Sequence, residues 1–440
     1  MKKSLLWVVV LVLSISMVVA FSLAGCKTTA AAETTAAATT TAAATTTAAA
    51  TTTAAAETTA AEPIKINFLS HRYDPWCVKL QEFANAYMAE HPNVTIEYSY
   101  VQTEDLFPKV MSALEAGTGA DIIGVVGTWM PQLIEGGFLS EAPADVAKDV
   151  ADNYTDFGKE SVTFDGKVYA HIQHIGILAP IVNADFFEEL GEKIPDKWSD
   201  YVALADKYKD KKDIAITALA PVGQHVLFHW STVLKCFGGN ILTDDLTKAA
   251  FNTPEGLAAT EAYCKLADPN VPENDATSSF IYGKAGMVLD GSWAKTFYKE
   301  STVLKNYYTT IPPMEKERWI TGYVYYWVVN ANSSPEKQAV AWDFNNFLSN
   351  DKNYQDMAQT VGFIPFRKAN IDIMSQDPWV KGFTEAMKYA AIYYPRITNW
   401  EEIEKLMIRQ IERAVADEIT PAEALELMEK DVNVALAENQ

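Results

Sequence analysis

Cysteine is scarce in this 440-residue chain and poorly placed for cross-linking: Cys26, Cys77, Cys236 and Cys264 are the four present. Past residue 62 an odd number remains, irregularly spaced and without a Cys-x-x-Cys pair. That argues against a disulfide framework and against a zinc site. Cys236 and Cys264 could pair in an exported protein, but free buried thiols are the favoured reading, because cysteine buries readily. Positive charge is short as well. With 36 Lys and Arg against 57 Asp and Glu the formal charge is −21, and nucleic acid or anionic lipid would need a basic face to neutralise phosphate. Signatures of catalysis are missing too. Gly291-Ser292-Trp293 is not a Gly-x-Ser-x-Gly elbow. His225 and His229 stand four apart on a helix with no glutamate between them and no third ligand nominated. His171 and His174 point to opposite faces of a strand. Carboxylates are plentiful, yet no pair is marked as flanking a cleft. No cofactor, no metal and no enzymatic activity are expected.

What is present begins with Lys2 and Lys3, an apolar run from Leu5 to Phe21, and Leu23-Ala24-Gly25-Cys26. The run is near bilayer-spanning length, so a permanent membrane helix is the alternative. The small residues before a cysteine instead resemble a bacterial lipoprotein signal. That resemblance implies removal of residues 1–25, lipidation of Cys26 and an anchored chain on the outer face of the cytoplasmic membrane, held by acyl chains rather than threaded through it. From Thr28 to Glu62 only Ala and Thr occur, apart from Glu33, Glu57 and Glu62. Residues 26–62 therefore read as a linker with nothing to build a core.

The remaining head is long enough for two domains. Ile64–Ser70 alternates like a strand. Asp74 suits an N-cap with Pro75 at the first helical position. Strands at Val94–Tyr100 and Asp121–Val126, with helices between, predict a parallel α/β sheet. In such sheets ligand lies beyond the strand carboxyl ends, where His71, Arg72, Tyr73, Thr128 and Trp129 fall. A turn at Asp165-Gly166, a strand from Val168 to Ile175, an apolar stretch from Ile177 to Val182, and helices near Asp185, Asp200–Lys209 and His225–Phe237 around a strand at Ile214–Ala218 give a second α/β unit. The stretch Asn399–Ala437 reads as helical packing with no chemistry in it.

Several segments taken in order resemble the extracellular solute-binding proteins of family 1, the maltose-binding-protein-like sugar receptors of ABC importers. Asp121-Ile122-Ile123, Trp129 and Gly137-Phe138-Leu139 match one block, and Phe164 to Ala170 (FDGKVYA) is similar to a second. Asn183-Ala184-Asp185-Phe186-Phe187 with Gly191, Pro195 and Trp198 matches a third, where Val182 and Lys197 replace the usual Tyr and Thr. Phe280 to Met287 (FIYGKAGM) leading to Gly291-Ser292-Trp293 is the most specific, with Gly286 in place of Ala. The resemblance implies a two-lobed periplasmic-binding-protein-like (type II) α/β fold with a hinge and an interlobe cleft. Lobe 1 would be 63–176 plus 320–370, and lobe 2 177–319 plus 371–440. It implies a monomeric receptor that delivers a carbohydrate to ABC permease subunits.

A sugar offers an apolar ring face and a rim of hydroxyls, so its cleft needs aromatic platforms and directional hydrogen bonds. The resemblance assigns sugar stacking to Trp293. Trp129, Trp230 and Tyr323 are further candidate platforms, each open to the alternative of plain packing. Tyr323, Tyr325 and Trp327 should share one face of their strand. Arg72, with Tyr73 and Asp74 beside it, could bind vicinal hydroxyls or a carboxylate. A polyamine or peptide-like solute is the alternative ligand, since Asp74, Glu135 and Asp290 could place acidic groups beside aromatics. A secreted carbohydrate-active enzyme is the alternative class.

Overall fold

The computed structural model describes residues 62–211, 214–267 and 276–438. The signal segment 1–25, Cys26 and the linker up to residue 61 lie outside the described residues.

The chain opens with β1 (Ile64–His71), α1 (Asp74–Glu90), β2 (Val94–Val101), α2 (Thr103–Glu115) and β3 (Ile122–Val126). β1 pairs in parallel with both β2 and β3, as the alternation of strand and helix predicts. The N-cap of α1 is Tyr73, extended at φ −146°, one residue before the expected Asp74. Pro75 lies in the first turn, where its missing N–H costs nothing. A hairpin of β4 (Thr163–Phe164) and β5 (Lys167–Val168) turns at Asp165 and Gly166, at φ 49° and 78°. Positive φ at both positions is what a type I′ turn requires.

β6 (Ala170–Asn183) is a single strand, buried from end to end. The sequence reads as two stretches either side of Gly176, and the structure shows why the glycine does not break the strand. A Cβ there would stand 2.1 to 2.6 Å from the ring of Tyr323 on a neighbouring strand, so Gly176 permits a close approach. The chain continues through β7 (Ala215–Ala218), α3 (His225–Cys236), β8 (Ala285–Gly291), β9 (Tyr307–Thr309), β10 (Ile320–Val329), β11 (Ala390–Ile392), α4 (Trp400–Val415) and α5 (Pro421–Glu438).

The strands form a nine-stranded mixed sheet in the order β2-β1-β3-β10-β6-β8-β7, with β11 beside β10 and β9 beside β6. β6 changes partner along its length. Ala170 to Ile177 pair with β10, whereas Leu178 to Asn183 pair with β8 and β9. The strand thus leaves one α/β half and enters another, and β10 runs beside it at the crossing, with Gly322 opposite Ile177. α4 and α5 pack on each other, and α4 also packs on α3 and on the helix Pro254–Leu266 of the second half. Among the described residues, Cys77, Cys236 and Cys264 form no disulfide.

Candidate ligand-binding cleft

Loops at strand carboxyl ends from the two halves meet. After β1, the Tyr73 hydroxyl donates to the carbonyl oxygen of Trp293 at 3.3 Å. Trp293 follows β8 through Gly291 and Ser292, and its indole folds back over the turn. A Cβ on Gly291 would fall 1.6 to 2.0 Å from that ring, so only glycine admits this conformation. The half-buried indole lies nearly parallel to His225, at 6.5 Å and 18°, and 5.6 Å from Tyr323.

An aromatic wall continues from there along β10. Tyr323 stacks on Phe228 at 5.3 Å, Tyr325 on His174 at 4.7 Å and Trp327 on Trp76 at 5.0 Å. Tyr323 and Tyr325 are also in ring contact at 5.7 Å, as residues two apart on one strand face should be. Tyr326 donates instead to the Ser161 carbonyl oxygen at 2.9 Å.

Beneath Trp293, the buried Asp290 carboxylate accepts hydrogen bonds from Thr277 Oγ1 at 2.7 Å, Tyr298 Oη at 2.8 Å and the Gly291 N–H at 2.7 Å. Burial pushes the Asp290 carboxyl up, and the three hydrogen bonds and His225 oppose it. Burial likewise pushes the His225 imidazole down. A cavity of about 10 Å³ separates these groups, roughly one water in size. His229 Nδ1 accepts the Ala220 N–H at 2.9 Å, and burial lowers this imidazole to about 3. Among the described residues no three His, Cys, Asp or Glu side chains are grouped to hold a metal.

Trp129 follows β3 and is 4% exposed, its ring 4.9 Å from that of Phe107. Its Nε1–H donates to Glu401 Oε1 at 2.7 Å, and Thr128 Oγ1 donates to the same oxygen at 2.8 Å. Glu401 belongs to α4, in the stretch that the sequence reads as helical packing. Nothing in the sequence marks Glu401, because acidic residues in a first helical turn are ordinary. A cavity of about 390 Å³ lies here, lined among others by Phe107, Trp129, Gln224, Glu401 and Glu404. Glu404 is buried and accepts the Tyr393 hydroxyl at 2.9 Å. Burial pushes its carboxyl up to about 8, and Glu401 adds to the shift.

Trp293, Tyr73 and Tyr323 therefore come together, and Trp129 lines the neighbouring cavity. Arg72 is exposed one residue before Tyr73, its backbone N–H held by the Val101 carbonyl oxygen. The Asp74 side chain lies outside the described residues. Trp230 is not brought to the others. It is fully buried, facing the helix Pro254–Leu266, where its Nε1–H donates to Thr260 Oγ1 at 3.0 Å. α3 is buried on nearly every side, so helical spacing alone could not separate its cleft face from its core face.

Residues 82–386 match a family described as bacterial extracellular solute-binding protein. A galactooligosaccharide-binding protein of Bacillus subtilis (strain 168) is 22% identical over 334 residues, 71% of this chain and 76% of that one. A binding protein of Brucella abortus (strain 2308) is 25% identical over 340 residues, 73% of this chain and 81% of that one. Among solved structures, an ABC substrate-binding protein of Listeria monocytogenes in complex with cycloalternan aligns at a TM-score of 0.75 and 18% identity, covering 86% of this chain and 100% of that one. A maltose-bound protein of T. maritima aligns at 0.74 and 21% identity, covering 84% and 100%. These structures share the two-lobed, periplasmic-binding-protein-like fold in which crossing strands form a hinge beneath an interlobe cleft. With well over half of its length matched, the chain belongs to the bacterial extracellular solute-binding proteins.

Proposed function

We propose that this protein captures a carbohydrate, an oligosaccharide by preference, between its two lobes and hands it to the membrane subunits of an ABC importer. The observation that carries the reading is the half-buried Trp293 indole, held at the cleft by the Gly291 turn and flanked by Tyr323 and the Tyr73 hydroxyl. A flat apolar face bordered by hydrogen-bonding groups suits a sugar ring. The relatives named for galactooligosaccharide, cycloalternan and maltose support the same ligand class.

In this proposal lobe 1 comprises 63–176 plus 320–370 and lobe 2 comprises 177–319 plus 371–440. Trp293, Trp129, Tyr323, Tyr73 and Arg72 contact the ligand. Cys26 carries the lipid anchor, so a monomeric head stands on the outer face of the membrane at the end of its Ala/Thr linker. The protein binds and releases its ligand without cleaving it. Incubation with oligosaccharides followed by product analysis tests that point, and released sugar would refute it.

A thermal-shift screen of the full chain against a carbohydrate panel tests the ligand class. A rise in melting temperature with one sugar family is expected. Glu401 and Glu412 line the cavity beside Trp129 together with Lys405 and Arg409, and an amine-bearing solute that pairs with the two carboxylates is the second reading. Spermidine belongs in the same screen for that reason, and a response to it alone would replace the carbohydrate reading.

A further inference from the structure

We propose that Trp379, together with the Lys295–Asp377 ion pair beside it, is a positioning residue for the Trp293 platform: it holds the backbone on which the indole is carried, and ligand affinity depends on it although it touches no ligand. The inference deepens the carbohydrate reading above and rests on it.

The Trp293 indole needs a hold from outside its own turn. One face has to stay open for the ligand, so the ring is only half-buried, and its neighbours Tyr323 and His225 lie 5.6 and 6.5 Å away. Gly291 admits the folded-back conformation without selecting it, since glycine is permissive. Ser292–Ala294 is a single turn of 3₁₀ helix, whose hydrogen-bond geometry is poorer than that of an α-helix. The buried Ser292 hydroxyl has no hydrogen-bond partner among the described residues and does not brace the turn.

The hold comes from the helix Pro378–Ala386. The Trp379 Nε1–H donates to the Ser292 carbonyl oxygen at 2.9 Å. The next carbonyl oxygen, that of Trp293, takes the Tyr73 hydroxyl. These belong to the two peptide units on either side of the Trp293 Cα. A peptide unit is planar, so holding both fixes φ and ψ at residue 293 and with them the direction in which its side chain leaves the backbone.

The donor is itself fixed. Asp377 divides its carboxylate, with Oδ1 accepting the Trp379 backbone N–H at 2.9 Å as the cap of the helix and Oδ2 pairing with Lys295, which is 7% exposed. Burial pushes the Asp377 carboxyl up, but Lys295 and the Trp379 N–H outweigh it and hold the group below its ordinary range. The Trp379 ring lies 5.2 Å from both Phe383 and Tyr298, and Tyr298 donates to Asp290 just before the Gly291 turn. Gly362, at φ 92°, closes the remaining side: a Cβ there would stand 2.7 Å from the Ser292 carbonyl oxygen and 2.9 Å from the Lys295 side chain. The platform is therefore ordered before the ligand arrives. A platform left to order on binding would lose about three- to tenfold in affinity, the cost of immobilising one side chain.

Calorimetric titration of the full chain, purified in a detergent without a sugar head group, tests this. The probe is whichever member of a panel of malto-oligosaccharides and galacto-oligosaccharides gives the largest thermal shift. Trp379→Phe keeps an aromatic ring beside Tyr298 and Phe383 and deletes the N–H donor, and it should raise Kd about three- to tenfold. Made in a Trp293→Ala background, the same substitution should change Kd by less than about twofold, because the residue it acts through is gone. A merely structural role would lower the melting temperature in both backgrounds and leave Kd alone. The double variant Lys295→Met with Asp377→Asn removes the ion pair without burying an unpaired charge and keeps a capping acceptor. It should give the same pair of results, and it decides the matter should Trp379→Phe not fold. Unchanged affinity, or a loss equal with and without Trp293, overturns the positioning role and leaves the carbohydrate reading standing. A chain that binds no member of the panel overturns both.

Discussion

Trp293→Ala should weaken ligand binding and spare the fold, while Trp230→Ala should do the reverse. The Trp293 indole is half-buried, packed over Gly291 on one side and near His225 on another. If a sugar ring covers about 80 Å² of its remaining surface, then at about 25 cal/mol per Å² the contact contributes roughly 2 kcal/mol. That corresponds to about thirtyfold in Kd, since 1.4 kcal/mol is tenfold. The Tyr73 bond is made to the backbone carbonyl oxygen of residue 293 and survives the substitution, so that interlobe contact is retained. Trp230 has no exposed surface and an indole N–H already bonded to Thr260. Its truncation leaves a cavity and should cost about 3 to 5 kcal/mol of stability. Calorimetric titration and a melting curve on the same samples give both quantities. A Trp293→Ala protein that binds normally, or one that loses as much stability as Trp230→Ala, would refute the assignment of Trp293 to the site.

Glu401→Ala removes the acceptor of two hydrogen bonds between α4 and the segment after β3, each worth about 1.5 to 3 kcal/mol when charge-assisted, so under the proposed lobe division the ligand-free protein should open and its radius of gyration rise in small-angle scattering. Ligand should close it again, and a radius unchanged between empty and saturated protein would count against a hinge. Cys26→Ala should move the protein from the membrane to the soluble fraction, whereas full retention would make the Leu5–Phe21 segment the anchor. Glu404 has a folded pKa near 8 against an ordinary 4.5, so the native state holds its proton where the unfolded state has lost it. Stability should therefore fall as pH rises from about 5 towards 8, by up to about 1.4 kcal/mol per pH unit. Glu404→Gln keeps an acceptor for Tyr393 and should flatten that slope. An unchanged slope would show that Glu404 is not the group responsible.

The first α/β half is legible in the sequence because its signals are local. Ile64–Ser70 alternates, Asp165-Gly166 is a turn in any context, and the Gly-Ser step before Trp293 places an aromatic at a strand end. β6 is harder because it is buried throughout its length, which erases the alternation that marks a half-buried strand. Gly176 then looks like an interruption, although its role becomes visible once Tyr323 is set beside it. The same limit applies to Trp230. On a helix buried on nearly every side, position decides between core and cleft, and periodicity carries no information about position.

The cleft was the least legible part for a physical reason that also bears on how it works. Trp129 and its acceptor Glu401 are 272 residues apart, and Tyr73 and the Trp293 carbonyl oxygen are 220 apart. Neither pair has a local signature, because each is made only when the two halves meet. A ligand seated between them touches groups from both, and so interacts more favourably with the closed arrangement than with either half alone. That difference in interaction, and not the strength of any one contact, is what can drive closure. In the proposed reading Glu401 is one of those groups: its Oε1 accepts from the Trp129 indole and the Thr128 hydroxyl, so the scattering of Glu401→Ala reads directly how much that contact contributes to the closed arrangement.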